Sequence, residues 1–276
     1  MNEFFNFKKH YLDIKKFGYE EFYRKFKVLI SILTNFTLII FFALPLFFFT
    51  IIISPIILIR FGIIRSSRVG HFIANTELYL ARKKLKLDHK PCIDFISFDE
   101  NKISNSFLKK NYERELTIFP NFVIKPFYSL LFNLRDKINY TKKFEIKALN
   151  SGGDRDLDGL LYKIENSIKF DSEDIKKIEK ELKNFGLDFS SKFICLDVRD
   201  DAYLKFTFPK GDWEYHNHRD WNINNFLVAS ENLTKRGYKV IRMGKIVNEK
   251  MVTQNPMIID YANSEFKSDI LDIYLH

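Results

Sequence analysis

Arginine side chains follow short apolar runs at three places in this chain of 276 residues. A guanidinium group beside a turn and the start of a helix can bind a phosphate, because arginine donates two parallel hydrogen bonds and the helix start offers free N–H groups. The alternative for any single arginine is an exposed ion pair. The positions are Arg65 and Arg68 after the run Ile56–Phe61, Arg199 after Lys192–Val198, and Arg242, followed by Gly244, at the end of Tyr238–Arg242.

Proton abstraction near neutral pH needs a group that titrates there. His71 is the first candidate, because an unperturbed imidazole has a pKa of about 6.5. Glu77, further along the same predicted helix, is the second. The structural alternatives are a cap at the helix N-terminus for His71 and a solvated helix face for Glu77. These two residues are the predicted catalytic groups.

No metal site and no cofactor are expected. Asp154, Asp156 and Asp158 have the spacing of a metal-binding motif, but they lie in a turn-rich segment where aspartates are common turn formers. His216 and His218 have no third ligand at a characteristic spacing. The loop around these histidines instead carries aromatic rings that can stack on a sugar, from Trp213, Tyr215 and Trp221.

The elements that must position these residues alternate between strand and helix, which predicts an α/β fold with parallel sheets and with ligands at the carboxyl ends of the strands. The turn at 151–156 marks the division between two halves. The predicted strands are 56–61, 91–98, 144–149, 192–198, 238–242 and 257–260, and the predicted helices begin near residues 71, 103, 121, 172, 223, 247 and 269. The predicted parts are a basic segment at 1–27, a membrane segment at 28–53, a first domain at 54–150, a boundary turn and linking helix at 151–190, and a second domain at 191–276.

The net charge of +9 lies entirely within residues 1–90, where it flanks the uncharged run Val28–Ile59. The 26 residues of Val28–Ile53 would form a helix of about 39 Å, long enough to cross a hydrocarbon core of about 30 Å. A cleaved signal peptide is the less favoured alternative, because the run begins late and is too long. The sequence therefore predicts an N-terminal membrane segment.

Both flanks of this segment are basic, so the rule that places lysine and arginine on the cytoplasmic side draws both of them inward. Pro45, near the middle, disfavours a straight helix, and a re-entrant hairpin stays open beside a single span. Basic flanks also attract anionic lipids. We expect a protein of the cell inner membrane with its soluble part in the cytoplasm. Residues 91–276 carry no net charge, so nucleic acid is not an expected partner.

The segments 68–72 (RVGHF) and 75–80 (NTELYL) resemble the opening motif of a family of largely uncharacterised bacterial glycosyltransferases. Further blocks at 155–161, 198–204, 219–244 and 260–269 are similar to the same family. The resemblance implies a GT-B-like enzyme with two Rossmann-like halves, the acceptor on the first and a nucleotide-sugar donor on the second. The residues assigned to the donor and its phosphates are Arg68, Arg199, Asp200, Tyr203, Arg219, Arg242 and Gly244.

The expected function is transfer of a sugar from a nucleotide-sugar to a glycan or lipid-linked acceptor, in the assembly of a cell-surface polysaccharide. The resemblance implies a pattern that continues beyond the predicted helix at 269–275, so we expect the second half to be incomplete. The alternative function is therefore a truncated, non-catalytic module that is tethered to the membrane and binds a nucleotide or a partner chain. Two cysteines, Cys92 and Cys195, exclude a disulfide framework.

Overall fold

The computed structural model describes residues 7–88, 90–99, 103–149, 152–153, 155–209 and 211–276. The chain divides into two compact units, an N-terminal unit (Met1–Ile168) and a C-terminal unit (Lys169–His276). Each unit contains parallel strands with helices between them in the sequence, so the expectation of a mixed α/β chain with parallel sheets is confirmed. Ser151 and Asp154, within the predicted boundary turn, lie outside the described residues.

The uncharged run is divided between three helical segments instead of one. Helix α1 (Phe7–Leu38) leads into a π-helical turn (Ile39–Ala43), and helix α2 (Leu44–Ile53) follows. Pro45 lies in the first turn of α2 and has no N–H to continue the hydrogen-bond ladder, which accounts for a wide turn at this point. Among the described residues, no helix has both the length and the apolar character needed to cross a membrane. The expected continuous helix over Val28–Ile53 is thus corrected.

The N-terminal unit is built on a two-stranded parallel sheet. Strand β1 (Leu58–Ile64) pairs along its whole length with β2 (Cys92–Phe98), and helix α3 (Val69–Lys84) connects them. Helices α4 (Ser106–Glu115) and α5 (Asn121–Leu134) follow.

Helix α2 is part of the core of this unit. Phe47 of α2 is buried against Phe127 of α5 and Phe144, and the Phe61 ring of β1 lies 3.8 Å from that of Phe127 between centroids. One side of the apolar run therefore packs on the protein. The other side leaves the large apolar side chains of Phe41, Phe42, Phe48, Phe49, Ile52 and Ile56 exposed, a set called here the apolar surface.

The predicted third strand at 144–149 is wrong. This segment contains the end of one 3₁₀-helix (Asn139–Phe144) and all of a second (Lys147–Leu149), and Glu145 forms one isolated bridge to Phe61. The reason lies in α3, where the buried Asn75 donates its Nδ2 hydrogen to the carbonyl of Ala148 at 2.6 Å. The carbonyl of Ala148 is thus bonded to a side chain instead of to the backbone of a neighbouring strand.

The C-terminal unit begins with α6 (Ser172–Lys183), whose start is fixed by a capping box between Asp171 and Asp174. Its sheet has the order β3-β4-β5, all parallel. The strands are β3 (Phe193–Leu196), β4 (Lys239–Arg242) and β5 (Ile258–Ile259), and the helices are α7 (Ala202–Thr207), α8 (Leu227–Lys235) and α9 (Asp269–Tyr274).

The predicted short helix at 247–253 is also wrong, and the loop found there is held by side chains. Asp200 accepts a hydrogen bond from the N–H of Asn248 at 2.9 Å, and Asp260 accepts one from Met251 at 2.9 Å. Asn224 accepts one from Val252. Backbone donors of this segment are thus bonded to side chains that are distant in sequence instead of to carbonyls within a helix.

Candidate functional site

The two predicted catalytic residues differ in accessibility. His71 is partly exposed in the first turn of α3, and the N-cap of that helix is Arg68, so the cap position suggested for His71 is taken by another residue. Glu77 is only 4% exposed, and its Oε2 accepts a hydrogen bond from the N–H of Ser167 at 3.0 Å. A solvated helix face is therefore wrong for Glu77. Burial, together with the neighbouring Glu77 carboxylate, raises the pKa of the Tyr112 hydroxyl.

The carboxyl edge of the C-terminal sheet holds a cavity of about 310 Å³. Arg242, the last residue of β4, lines it, and so does Asp200, which lies in the loop after β3. The lining also contains Trp221, whose side chain is well exposed, at 60% for the residue. We call this cavity the acidic pocket, because four carboxylates line it, from Asp200, Asp201, Asp220 and Glu249, with the amides of Asn217, Asn222 and Asn248 beside them.

Arg242 is 1% exposed and already has partners. Its Nη1 donates to the carbonyl of Glu249 at 2.8 Å and to Oδ1 of Asp260 at 3.1 Å, whereas its Nε has no hydrogen-bond acceptor among the described residues. Asp260 is further held by hydrogen bonds from Met251 and Asn263. A buried guanidinium that is paired in this way fixes the edge of β4 to β5 and to the loop at 249.

Arg199 reaches the acidic pocket through a carboxylate. Its Nη1 donates to the carbonyl of His216 at 3.2 Å and lies 3.5 Å from Oδ1 of Asp220, a lining residue. That Asp220 oxygen accepts no hydrogen bond from the described residues. This Oδ1 atom is buried and ion-paired with Arg199, so the carboxylate of Asp220 is held in place at the wall of the cavity.

Asp200 and Gly244 shape this edge of the sheet. Asp200 accepts hydrogen bonds from the N–H groups of Ala202 and Asn248, so it joins the start of α7 to the loop after β4. Gly244 has a φ of 146°, and a Cβ atom there would lie 2.6 Å from Cγ1 of Val247. Both observations give these two residues a role in positioning the loop, and Gly244 does not line the cavity.

The remaining predicted donor residues lie apart from this lining. Tyr203 is partly buried within α7, and Arg219 is exposed at the end of a 3₁₀-helix (Glu214–Arg219). Arg68 belongs to the N-terminal unit. Among the predicted donor residues, the structure thus brings Asp200 and Arg242 into one pocket, with Arg199 adjoining it.

Several lining residues were missed by sequence reasoning, above all Asp220, Asn248 and Glu249. Asp220 follows Arg219 directly in one of the motif blocks, and that adjacency was the available signal. Asn248 and Glu249 lie in the segment that was predicted to be helical, so no pattern marked them. Over the described part of the chain, no group of histidine, cysteine or acidic residues has the geometry of a metal site, and Asp154 lies outside that part.

The acidic pocket combines hydrogen-bond acceptors, amides and an exposed indole around one arginine. Carboxylates and amides bind hydroxyl groups, and an aromatic face stacks on an apolar ring surface. A diphosphate would meet an excess of negative charge, whereas a neutral polyhydroxyl ring would not. The geometry therefore favours the sugar part of a ligand over its phosphates.

Searches of protein-family models, of curated proteins and of solved structures found no match to this chain.

Proposed function

We propose that this protein is a membrane-associated glycosyltransferase, and that the acidic pocket receives the sugar of a nucleotide-sugar donor. The observation that carries the proposal is the convergence of separate motif blocks on one pocket. Asp200, Asp220 and Arg242 come from two of the blocks and line or border the cavity, and Asp260 of a third block binds Arg242. These are the segments whose sequences resemble the glycosyltransferase family.

In this proposal each group has a role that its contacts allow. Asp220 accepts a hydrogen bond from a sugar hydroxyl, since its carboxylate lines the cavity. Trp221 stacks on the ring. Arg242 and Asp200 hold the surrounding loops through the hydrogen bonds described above. His71 is the proposed base for the acceptor hydroxyl, because Glu77 is enclosed and bonded to Ser167.

The proposed location is the cytoplasmic face of the inner membrane. The support is the apolar surface, on which Ile52 and Ile56 are 77% and 73% exposed. Contiguous exposed apolar side chains of this size mark sites of contact with a membrane or another protein. The acceptor would then be a glycan or a lipid-linked glycan presented at that membrane.

The second candidate is a module that binds a sugar or nucleotide without turnover. The support for it is that the two arginines expected to bind the diphosphate already interact with other protein groups. Arg242 is engaged by Asp260, and Arg199 faces Asp220 and the carbonyl of His216. A pocket whose cations are already paired binds a leaving diphosphate poorly, which favours recognition over catalysis.

Tryptophan fluorescence offers a direct test, because both tryptophans of the chain lie in the C-terminal unit and Trp221 lines the pocket. The full chain in detergent would be titrated with a panel of nucleotide-sugars. We expect saturable quenching, and a weakening of affinity by about 10-fold in Asp220→Asn, since a hydrogen bond to a charged group contributes about 1.5 kcal/mol or more. The matched control is Asp212→Asn, at an exposed aspartate outside the lining.

Release of nucleoside diphosphate in the presence of membrane extract separates the two candidates. Release that depends on His71 supports the transferase, and binding without release supports the module. Absence of binding to every donor, or equal losses in the two aspartate variants, would contradict the assignment of the acidic pocket.

A further inference from the structure

A second and larger cavity, of about 520 Å³, lies in the N-terminal unit at the amino ends of the two strands. Leu58 and Cys92, the first residues of β1 and β2, both line it. Seven cationic side chains and two carboxylates contribute to the lining, an excess of five positive charges. We call this cavity the basic pocket. Its volume lies within the range of about 300–1,000 Å³ that is usual for ligand sites.

Two aspartates at this pocket are bound to one arginine. The guanidinium of Arg60 donates to Asp94 at 2.7 and 2.9 Å and to Asp88 at 2.7 and 2.9 Å, so that its fork is fully used. Burial opposes the charge on Arg60, but the two aspartates outweigh it and raise the pKa of the guanidinium. Lys83 also contacts Asp94, at 3.1 Å. The two cations and two aspartates of this cluster have no net charge together, and their hydrogen bonds stabilise the wall of the cavity.

Four of the five remaining cations have no such partners. The side chains of Arg82, Lys90, Lys142 and Lys147 form no ion pair and no hydrogen bond with any of the described residues. Glu145, the second lining carboxylate, lies 3.9 Å from Arg135. Like charges that surround one cavity repel each other, and a bound anion removes that repulsion.

The position of the basic pocket indicates where its anion comes from. Ser54, the C-cap residue of α2, lines the cavity and accepts a hydrogen bond from Nζ of Lys143 at 3.0 Å. Ile52 and Ile56, which flank Ser54 in the chain, are among the most exposed residues of the apolar surface. A cationic cavity that adjoins exposed apolar side chains matches a lipid, whose phosphate lies at the boundary between hydrocarbon and water.

We propose that the basic pocket binds the phosphate headgroup of a membrane lipid, with the hydrocarbon chains against the apolar surface. A phosphomonoester fits best, because it carries a charge of about −1.5 to −2 near neutral pH and a phosphodiester only about −1. The inference rests on the membrane association in the proposed function and is independent of sugar transfer. It adds a specific lipid site in the N-terminal unit to the general attraction of basic flanks for anionic membranes.

Vesicle flotation of the full chain tests this site. The vesicles contain phosphatidylcholine alone, or with phosphatidic acid or phosphatidylglycerol at matched surface charge. We expect phosphatidic acid to be preferred over phosphatidylglycerol by about 10-fold. The triple variant K90A/K142A/K147A should bind phosphatidic acid about 100-fold more weakly, since each of three lysines near an anionic surface contributes about 1 kcal/mol.

Two further variants test whether lipid binding depends on the lysines of the basic pocket or only on the net positive charge of the protein. K176A/K177A/K180A removes the same charge from exposed positions on α6, and we expect it to retain the preference. K90R/K142R/K147R preserves the charge of the basic pocket and should retain binding, which guards against a folding defect as the cause of any loss.

The proposal is overturned by equal binding to the two anionic lipids, by equal losses in the two alanine variants, or by inorganic phosphate binding as tightly as phosphatidic acid vesicles. Nucleotide-sugar titration of the same variants is unaffected if the two sites are separate. Failure of the acidic pocket to bind sugar would therefore leave the lipid preference intact.

Discussion

The basic pocket and the acidic pocket occupy opposite edges of the same kind of scaffold. Both adjoin parallel strands, but the first lies where the strands begin and the second where they end. The basic pocket owes part of its charge to the end of α3, where Arg82, Lys83 and Lys84 form the last turn. Cations are favoured at a helix C-terminus, and a helix that follows a strand returns its C-terminus to the amino edge of the sheet. Rules that search only the carboxyl edge therefore overlook such a site.

Arg60 in the basic pocket and Arg199 beside the acidic pocket also differ in how they are held. Arg60 makes four hydrogen bonds to two aspartates, and the Asp94 side chain is only 5% exposed. Arg199 lies 3.5 Å from one aspartate, with 26% of its side chain exposed. The difference shows that an arginine next to a pocket can be a fixed structural group in one unit and a weakly held one in the other.

The largest expected effect comes from removing the fixed arginine. Arg60→Ala leaves Asp88 and Asp94 without their main cation, and breaking a buried pair from one side costs about 3–5 kcal/mol. We expect the free energy of unfolding of the N-terminal unit to fall by that amount. Arg199→Ala, the control in the C-terminal unit, should cost less than about 1 kcal/mol, as a partly exposed pair does.

Cysteine labelling in urea measures the two units separately, because Cys92 begins β2 and Cys195 lies in β3. Burial raises the pKa of both thiols, that of Cys195 to about 11, which lowers the fraction of reactive thiolate in the native protein. The contrast between the two arginines predicts a large shift in the urea concentration for Cys92 labelling in Arg60→Ala and a small shift for Cys195 labelling in Arg199→Ala. Equal, small shifts in the two variants would contradict it.

A smaller effect is expected at the edge of the acidic pocket. Gly244→Ala adds a Cβ at a φ of 146° and 2.6 Å from Val247, which should destabilise the C-terminal unit by about 1–3 kcal/mol. Gly237→Ala is the matched control, since its φ is 84° with nothing within 4 Å, and it should cost about 1 kcal/mol. Cys195 labelling should respond to both variants and Cys92 labelling to neither. A larger loss for Gly237→Ala would show that contact with Val247 does not constrain the loop.

The smallest effect concerns pH. Burial opposes ionisation of Asp94, but hydrogen bonds from Arg60 outweigh it and hold the pKa of the carboxyl below its ordinary value. The folded state then binds fewer protons than the unfolded state. Asp94 therefore contributes to the free energy of unfolding above about pH 4, and this contribution is lost as the pH falls through the folded-state pKa. The slope from one such group is at most about 1.4 kcal/mol per pH unit.

Asp272 in the C-terminal unit has the opposite sign, because burial raises the pKa of its carboxyl. The contribution of Asp272 to the free energy of unfolding is present at low pH and is lost as the pH rises through the folded-state pKa of this carboxyl. Urea midpoints from circular dichroism between acid and neutral pH should therefore show a flatter acid loss in Asp94→Asn and a steeper one in Asp272→Asn. Parallel changes in the two variants would contradict this opposition.

Much of the local structure was accessible from sequence. The capping residues ahead of α6, with Asp171 at the cap, placed a helix whose start the structure has at Ser172. The β-branched runs placed β1 to β4 to within a few residues. Two of the errors, at 144–149 and 247–253, share a cause, because in both segments side chains distant in sequence take the backbone hydrogen bonds. Local pattern carries no information about such partners.

The candidate sites show the same division. The sequence placed Asp200 and Arg242 at carboxyl ends of strands, since each follows or ends an apolar run. It did not reveal that Asp220 would face Arg199, nor that Asn248 would bind Asp200, because these pairs depend on the course of long loops. The basic pocket was missed entirely, since its lysines come from segments that are distant in sequence.

The sequence by itself determined the alternation of strands and helices, the uncharged run and its basic flanks, because these follow from side-chain type and spacing. The tertiary structure decided which charges are neutralised and which face a cavity, because pairing depends on distances between residues far apart in the chain. Arg60 and Lys142 are both basic in sequence, yet packing gives the first two aspartates and leaves the second unpaired within the described residues.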